Sequence, residues 1–354
     1  MFSLAAALLM SSALPVEPST TTLLPVGTTL LADKKLSFQW PSSGFDVRFK
    51  GTSLVLDLED SASGEEVKAG GTQSNSIEVR IDSGPSRSIT LKPGRNRVVL
   101  AELLTDNFHL AFVRKRTESQ VGIVTLHGME SPGGSIEKPT PPNRRLTVFG
   151  DSNSCGYGAE AASRDIKYSP STQNSDAAFP AITARALGLE LNLIAASGWG
   201  IMRGYGGETT SAIPRVWRRA LIDQESPLSE GPEPAAIVVI LGDNDFAQGD
   251  PGEAFDAAYL DFVKALRSKH KASPILLCTS SFMQGTGPNS RVGKVIDSVI
   301  AHMKDPSMYR VNLPAYQEAW GFGADWHISL EGHRKIAAPL IQLLEGMRVG
   351  RRIG

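Results

Sequence analysis

Two stretches that lie far apart in the sequence carry side chains suited to nucleophilic catalysis. Ser152 lies in the glycine-rich stretch 150–158, directly after the apolar run 146–149. A serine hydroxyl reacts at neutral pH when a sharp turn exposes it beside a general base and beside hydrogen-bond donors. His327 is the candidate base, and Asp325, two positions before it, is the candidate carboxylate that orients its ring. This combination predicts acyl transfer through Ser152.

Two further stretches between the serine and the histidine offer donors for an oxyanion. Gly198, in the sequence Ala-Ser-Gly-Trp-Gly, has no side chain, so its backbone N–H can approach a substrate oxygen closely. Asn244, in the sequence Gly-Asp-Asn-Asp, offers a side-chain amide. Together with the backbone N–H of Ser152 they form a predicted oxyanion hole. The same residues also fit plainer roles, Gly198 as a turn residue and Asn244 as a helix N-cap.

These residues follow the strands of a predicted α/β domain over residues 144–350. Short apolar runs suited to buried parallel strands alternate there with helical patterns. The runs are 146–149, 191–195, 237–241, 275–278 and 309–311. The alternation predicts right-handed crossovers and a three-layer, flavodoxin-like fold with helices on both faces of a parallel sheet. The candidate serine, glycine and asparagine each follow one of the first three runs, so we expect them beyond the carboxyl ends of the strands.

Residues 30–130 have the spacing of β-strands. Apolar residues alternate with polar ones in short runs, for example Phe45, Val47 and Phe49, and turn residues separate the runs. This spacing predicts an all-β sandwich of the jelly-roll kind. Residues 131–143 are rich in Pro and Gly and are predicted to be a linker.

Residues 1–20 are interpreted as a possible signal peptide. The apolar stretch 1–13 ends in a Ser-Ser-Ala cleavage pattern, but it lacks the usual Lys or Arg in front. We expect a secreted or periplasmic protein, the alternative being a short apolar tail. No other run is long and apolar enough to span a bilayer, so no membrane partner is predicted.

The composition narrows the class of partner. Lys and Arg number 36 against 37 Asp and Glu, so the formal net charge is -1 and nothing favours nucleic acid or an anionic membrane surface. Cys155 and Cys278 are the two cysteines, and no Cys/His cluster has the spacing of a metal site. We therefore predict no disulfide framework, no metal and no cofactor, and a neutral partner.

Aromatic side chains cluster in the same predicted loops. Tyr157 lies shortly after the candidate nucleophile, Trp199 follows the oxyanion glycine, and Trp326 precedes the candidate base. Flat aromatic faces suit the apolar faces of sugar rings, although each of these residues would also fit an ordinary core. The three residues are candidates for substrate binding.

The four stretches resemble the four blocks of the SGNH (GDSL) hydrolase superfamily, whose invariant Ser, Gly, Asn and His occur here in the same order. With a β-sandwich before them, and with Gly-Tyr-Gly at 156–158 and Asp-Trp-His at 325–327, the chain resembles carbohydrate esterase family 2, which includes acetylxylan esterases. The resemblance implies a metal-independent serine esterase that removes O-acetyl groups from polysaccharide or oligosaccharide through an acetyl-serine. It leaves the orientation of His327 open, because some members with a single residue between Asp and His are understood to use a backbone carbonyl in place of the carboxylate.

Two other functions compete with this interpretation. A GDSL-type lipase or thioesterase acting on other acyl esters would need an apolar groove, whereas these loops supply aromatic and polar residues. A non-catalytic carbohydrate-binding protein would rely on the β domain alone. The complete set of Ser152, Gly198, Asn244 and His327 favours an enzyme over this second alternative.

Overall fold

The computed structural model describes residues 15–62, 74–102, 104–142, 144–226, 231, 233–281 and 290–349. The apolar stretch 1–13, on which the signal-peptide interpretation rests, lies outside the described residues. Val16 already belongs to the fold, because its backbone pairs with Met129 in an antiparallel bridge. No helix in the described ranges has the length and apolar character needed to cross a membrane.

The N-terminal part of the chain forms two antiparallel sheets. Its strands are β1 (Leu24–Val26), β2 (Leu30–Ala32), β3 (Lys35–Phe38), β4 (Gly44–Gly51), β5 (Leu54–Asp60), β6 (Ser76–Ile81), β7 (Arg87–Thr90), β8 (Gly94–Ala101), β9 (Asn107–Lys115), β10 (Val124–Glu130) and β11 (Ser135–Glu137). One sheet has the order β1-β4-β9-β6-β7, with β11 also paired to β4, and the other has the order β2-β3-β10-β5-β8. The strands therefore begin before residue 30 and continue past residue 130.

The core between these sheets follows from the alternation of side chains along each strand. Phe45, Val47 and Phe49 of β4 are fully buried, and they share one apolar cluster with Leu56 and Leu58 of β5 in the opposite sheet. The segment 131–143 was predicted to be a linker, but part of it forms a strand, because β11 pairs with β4. The pairing fastens this segment to the sandwich before the chain enters the next domain.

The second part of the chain is a parallel sheet with helices on both faces. Its strands are β12 (Arg145–Gly150), β13 (Glu190–Ala195), β14 (Ala236–Val239), β15 (Ile275–Thr279) and β16 (Met308–Asn312), in the order β13-β12-β14-β15-β16. Its helices are α1 (Ser152–Cys155), α2 (Phe179–Ala186), α3 (Ile213–Val216), α4 (Glu253–Lys269), α5 (Arg291–Met303) and α6 (Leu330–Gly346). This is the flavodoxin-like strand order, and its switch point lies beside β12, where a crevice opens at the carboxyl ends of the strands.

Both faces of the parallel sheet are buried. Phe149 of β12 and Val239 of β14 join an apolar cluster with α4 and α5, whereas Val148 and Val238 join a second cluster with α2 and α6 on the opposite face. Neighbouring strand residues point to opposite faces, so short, wholly apolar strands are what this architecture requires. The apolar runs of the sequence predicted this layer correctly.

The two parts of the chain share a buried interface. Trp40, which follows β3, is fully buried in the apolar cluster of the parallel sheet, and its Nε1 donates to the backbone oxygen of Arg219 at 3.1 Å. Arg116, after β9, donates to Glu78 within the sandwich and to the backbone oxygen of Gln173 in the α/β domain. The sandwich is thus built against the α/β domain through core side chains.

Candidate active site

Ser152 is the first residue of α1 and follows the carboxyl end of β12. Asp151 caps this short helix, since its carboxylate accepts the backbone N–H of Asn153 at 3.0 Å. Gly156 ends the helix with a φ of 69°, and a Cβ added there would lie 2.3 Å from the backbone oxygen of Asn174. The sharp turn demanded by a nucleophile is therefore fixed at both ends, and Ser152 keeps 8% of its surface exposed.

His327 lies within hydrogen-bond distance of the nucleophile, with Nε2 3.0 Å from the Ser152 Oγ. Its Nδ1 lies 3.1 Å from the backbone oxygen of Asp325 and 3.2 Å from that of Ala324. Carbonyl oxygens only accept hydrogen bonds, so Nδ1 carries the proton and Nε2 presents its lone pair to the serine hydroxyl. Burial lowers the pKa of His327, and the two carbonyls partly oppose this effect. The ring is thereby kept neutral and ready to accept a proton.

The carboxylate of Asp325 does not take the position expected from the sequence. Its oxygens accept hydrogen bonds from the Lys167 Nζ at 2.9 Å, the backbone N–H of Tyr168 at 2.9 Å and the Tyr157 hydroxyl at 3.4 Å. The cause is the backbone, because Asp325 and Trp326 have φ angles of 48° and 67°. This left-handed turn aims the Asp325 carbonyl at the imidazole and its side chain away. Of the two ways to orient the base, the structure contains the backbone carbonyl.

Tyr157 packs on the base. Its ring centroid lies 4.1 Å from that of His327 and 4.1 Å from that of Tyr168 on the other side. Burial raises the pKa of the Tyr157 hydroxyl, with the Asp325 charge adding to the effect, so the phenol stays neutral. In this structure Tyr157, a candidate for substrate binding, fixes the plane of the imidazole.

The loops of Gly198 and Asn244 lie next to α1, because Asn244 contacts both Trp199 and Asp151. Gly198 lies in a tight turn in which the Trp199 N–H donates to the Ala196 oxygen at 3.2 Å. Within the described residues, the backbone N–H groups of Ser152 and Gly198 have no hydrogen-bond acceptor. For Ser152 this follows from its place at a helix N-terminus, where the first N–H groups lack intrahelical partners. These two N–H groups are therefore the backbone candidates for an oxyanion hole.

Asn244 begins a 3-10 helix, Asn244–Phe246, just beyond β14. Its Nδ2 donates to the backbone oxygen of Trp199 at 2.9 Å and lies 3.5 Å from a carboxylate oxygen of Asp151. An amide nitrogen has two hydrogens, and the second contact is at the limit of a hydrogen bond. One amide hydrogen therefore anchors the side chain to Trp199, and the other is held only weakly, by the Asp151 carboxylate.

Asp245, which the sequence reasoning did not single out, holds the loop that follows Gly198. Its fully buried carboxylate accepts the backbone N–H groups of Ile201, Met202 and Arg203 at 2.8, 2.8 and 3.1 Å. Gly200 passes so closely that an added Cβ would lie 2.2 Å from Asp245 Oδ2. The second acid in the sequence Gly-Asp-Asn-Asp was the signal for this role, since a carboxylate can gather successive backbone N–H groups of a loop.

The two candidate tryptophans differ in exposure. Trp326 is 53% exposed, the guanidinium carbon of Arg164 lies 4.1 Å from its ring centroid, and Phe322 packs edge-on against it at 5.4 Å. Trp199 is half-buried and packs against the apolar cluster of the parallel sheet. Trp326, next to His327 in the sequence, therefore has an exposed aromatic ring, whereas Trp199 packs mainly against the core of the parallel sheet.

In the described ranges, no group of three His, Cys, Asp or Glu side chains is arranged to hold a metal ion. Cys155 and Cys278 are both buried and unpaired. The reactive groups assembled at this edge of the sheet are thus a serine, a neutral imidazole and backbone and amide donors.

Two family models match consecutive parts of the chain. The model "Carbohydrate esterase 2 N-terminal" matches residues 28–141, and the model "GDSL-like Lipase/Acylhydrolase family" matches residues 148–335. The first covers the sandwich, and the second covers the parallel sheet with its site.

Among curated proteins, the chain is 28% identical over 312 residues to the cellulase/esterase CelE of Acetivibrio thermocellus. The matched region is 85% of this chain but only 36% of CelE. It is 26% identical over 368 residues to an acetylxylan esterase/glucomannan deacetylase of Cellvibrio japonicus, covering 98% and 97% of the two chains. Among solved structures, a family two carbohydrate esterase from Clostridium thermocellum in complex with cellohexaose superimposes with a TM-score of 0.84, at 26% identity over 92% of this chain and 99% of that one. The fold of a family two carbohydrate esterase from Cellvibrio japonicus matches with a TM-score of 0.82 over 94% and 97%.

Proposed function

Because the chain belongs to the GDSL-like lipase/acylhydrolase family and carries a carbohydrate esterase 2 N-terminal domain, we propose that it is a serine esterase that removes O-acetyl groups from polysaccharide or oligosaccharide. The observation that carries the proposal is the 3.0 Å contact between Ser152 Oγ and the unprotonated Nε2 of His327. The chain supplies its own nucleophile and base, so the reaction needs no metal in this mechanism.

The first half of the reaction forms an acetyl-serine. Nε2 of His327 takes the proton of the Ser152 hydroxyl while Oγ attacks the acetyl carbonyl carbon. The negative oxygen of the tetrahedral intermediate accepts hydrogen bonds from the N–H groups of Ser152 and Gly198 and from the amide of Asn244. The protonated His327 then returns its proton to the sugar oxygen as the carbon–oxygen bond breaks, and the deacetylated glycan leaves.

The second half of the reaction restores the enzyme. His327 takes a proton from water, which attacks the acetyl carbonyl, and the intermediate collapses to acetic acid as His327 returns that proton to Ser152; the acid then ionises to acetate in solution. In both halves the imidazole becomes positively charged for a moment. The carbonyl oxygens of Ala324 and Asp325 stabilise that charge through the Nδ1–H group, the part that a carboxylate plays in a Ser-His-Asp triad.

Substrate binding is assigned to the aromatic surface beside the base. We propose that Trp326 stacks against a sugar ring, because its ring is exposed and is stiffened by Arg164 and Phe322. Trp199 then lines the acetyl end of the cleft, and Tyr157 acts indirectly, by holding the plane of the His327 ring. The relatives named for xylan and glucomannan deacetylation support an acetylated glycan as the substrate class.

Three further proposals concern the chain as a whole. The sandwich is proposed to be a jelly roll, since β3-β10-β5-β8 in one sheet and β4-β9-β6-β7 in the other are the alternating order that two Greek keys produce. The domain boundary is proposed to lie within residues 138–144, after β11 and before β12. Export is proposed from the apolar stretch 1–13 and its small-residue cleavage pattern, which fits an enzyme that meets polysaccharide outside the cell.

The test compares the wild type with Ser152→Ala. We expect release of p-nitrophenol from p-nitrophenyl acetate by the wild type, undiminished by a metal chelator and absent in Ser152→Ala. We also expect faster hydrolysis of acetyl than of octanoyl esters and release of acetate from acetylated xylan or glucomannan. Equal activity in both proteins would refute the serine mechanism. A preference for octanoyl esters would establish a lipase or thioesterase, and glycan binding without any hydrolysis would establish a carbohydrate-binding protein.

A further inference from the structure

A short segment of the N-terminal domain lies against the turn that carries the oxyanion glycine. The segment 118–120 lies within the connection between β9 and β10. The carboxylate of Glu118 accepts the backbone N–H of Ser197 at 3.0 Å, and the side-chain amide of Gln120 donates to the backbone oxygen of Ser197 at 2.8 Å. Both main-chain groups of one residue are therefore held by the neighbouring domain. Neither Glu118 nor Gln120 belongs to the machinery assigned above.

The conformation of this turn decides where the Gly198 N–H points. The turn runs from Ala196 to Trp199, closed by the hydrogen bond between its first oxygen and last N–H, and Gly198 has a φ of 77° while Ser197 has an ordinary negative φ. This is a type II turn. Type I and type II turns differ by a rotation of the central peptide of roughly 180°. That central peptide joins Ser197 to Gly198, so conversion to type I would reverse the Gly198 N–H.

The contact with Gln120 fixes this peptide. The Ser197 carbonyl and the Gly198 N–H belong to one planar trans unit and point in opposite directions. Because Gln120 holds the carbonyl on the side of the N-terminal domain, the Gly198 N–H points to the opposite side, away from that domain. Glu118 holds the preceding peptide through the Ser197 N–H, so two consecutive peptide planes are restrained.

We propose that Glu118 and Gln120, together called the Ser197 clamp, are positioning residues of the esterase. The clamp keeps the turn in its type II form and so holds the Gly198 N–H in the oxyanion hole. The N-terminal domain thereby contributes to the chemical step without touching the substrate. This inference rests on the proposed esterase function and adds residues to the same site.

The surroundings of Glu118 are rigid. Its side chain is only 4% exposed, and the neighbouring Lys115, which is fully buried, donates from Nζ to the backbone oxygen of Glu118 and to the oxygens of Thr117. Burial raises the pKa of Glu118, and hydrogen bonding with Ser197 and Tyr168 and the charge of Lys115 oppose that effect. The buried Glu118 and Lys115 side chains therefore both have hydrogen-bond partners, as a support for catalytic geometry requires.

The experiment removes the Gln120 donor and the Glu118 acceptor in separate variants and compares each with a control at another contact between the two domains. Gln120 is exposed, so Gln120→Met keeps the length of the side chain, removes the donor and leaves the fold intact. Glu118→Leu removes the acceptor, whereas Glu118→Gln keeps an oxygen for the Ser197 N–H. The control is Glu190→Gln, because Glu190 is also buried and also accepts a backbone N–H across the domain interface, from Gly27 at 3.1 Å, but at the amino end of β13.

We expect Gln120→Met and Glu118→Leu to lower kcat for p-nitrophenyl acetate about tenfold or more, with little change in KM, because an oxyanion donor acts on the transition state. Glu118→Gln is expected to recover most of the activity, and Glu190→Gln to match the wild type. The acid limb of the kcat/KM profile should not move in Gln120→Met, since His327 is untouched. Thermal unfolding shows whether each variant is folded. If Glu118→Leu does not fold, Gln120→Met alone tests the clamp.

The Ser197 clamp and the esterase function can be refuted independently. If Ser152→Ala is inactive but Gln120→Met has the kcat of the Glu190→Gln control, the clamp is refuted and the esterase stands. A rise in KM alone, or a shifted acid limb, would also refute the clamp, because the residue would then act on binding or on the base. Full activity of Ser152→Ala would refute the esterase on which the clamp rests.

Discussion

Replacing Asp325 by Asn separates a backbone-oriented dyad from a carboxylate triad. In Ser-His-Asp enzymes the equivalent change leaves the geometry intact yet lowers kcat roughly 10⁴-fold, or about 5.5 kcal/mol, since the imidazole loses its partner and takes the wrong tautomer. Here the partner of Nδ1 is a pair of carbonyl oxygens, at 3.1 and 3.2 Å, which the substitution does not alter. The tautomer should therefore survive.

The remaining losses at Asp325 are small. The side chain of Lys167 is 82% exposed, so its ion pair with Asp325 is screened by water. Asn keeps an oxygen for the Tyr168 N–H, and Asn tolerates the left-handed φ of 48° that position 325 requires. Loss of the charge lowers the pKa of His327 slightly, because that charge is a minor cause raising it. We expect kcat to fall tenfold or less, about 1.4 kcal/mol at most.

The assay is steady-state hydrolysis of p-nitrophenyl acetate by the wild type, Asp325→Asn and Asp325→Ala. Ala tolerates a left-handed φ poorly and removes the acceptor for the Tyr168 N–H, so Asp325→Ala should lose more activity and should also unfold at a lower temperature. A loss of 10³-fold or more in Asp325→Asn, without a loss of stability, would show that the carboxylate reaches the imidazole during turnover. The dyad would then be wrong.

Four further outcomes follow from the geometry. Asn244→Ala should lower kcat by roughly 10²–10³, on the order of 3 kcal/mol, with KM little changed; an unaltered kcat would remove this amide from the oxyanion hole. The acid limb of the kcat/KM profile should have its midpoint below about 6.5, because burial lowers the pKa of His327 and only the neutral ring is a base; a midpoint above that value would contradict the burial effect. His333 is fully buried and its pKa is lowered to about 3, so its contribution to stability, measured as the difference in unfolding temperature between the wild type and His333→Gln, should be steady above about pH 6.5 and should shrink as pH drops from there toward 3; a difference that does not change with pH would disprove the linkage. Gly200→Ala would set a Cβ 2.2 Å from Asp245 Oδ2 and 2.3 Å from the Arg203 oxygen, so we expect a loss of about 1–3 kcal/mol in unfolding free energy together with lower kcat, both measurable against Gly206→Ala.

The strand-following residues of the site could be predicted from the sequence because parallel sheets impose a simple rule. Each apolar run ends at the same edge of the sheet, so Ser152, Gly198 and Asn244 had to meet wherever the runs were strands. His327 could be placed near them by the same reasoning, since α6 begins shortly after it, with Ser329 as its N-cap. Local pattern and global topology agree for these residues.

The orientation of Asp325 could not be predicted in this way. A carboxylate two positions before a histidine can face the ring or point away, and the outcome depends on backbone angles. Here Asp325 and Trp326 both adopt left-handed φ values, which a tryptophan does not favour and which only the surrounding contacts can hold. One of these contacts is the Asp325 N–H donating to the Ile166 oxygen at 3.0 Å.

The sequence pattern also could not predict which residues act across the domain interface. The alternation of residues 30–130 predicts which side chains fill the sandwich, but it cannot show that Trp40 enters the core of the other domain. In the same way, the sequence around Glu118 and Gln120 has no catalytic motif, and their importance depends on a contact with Ser197 far along the chain. Such contacts belong to tertiary structure alone.

These interface contacts connect stability to catalysis. A parallel sheet ordinarily has loops at its carboxyl edge that are free to adapt, and binding or catalytic residues sit on such loops. In this protein the loop after β13 is restrained from both sides, by the Ser197 clamp of the N-terminal domain and by the Asp245 carboxylate of its own domain. An oxyanion hole works because its donors are already in place when charge develops. In the proposed mechanism the N-terminal sandwich supplies part of that preorganisation, and the two domains act together as the catalytic unit.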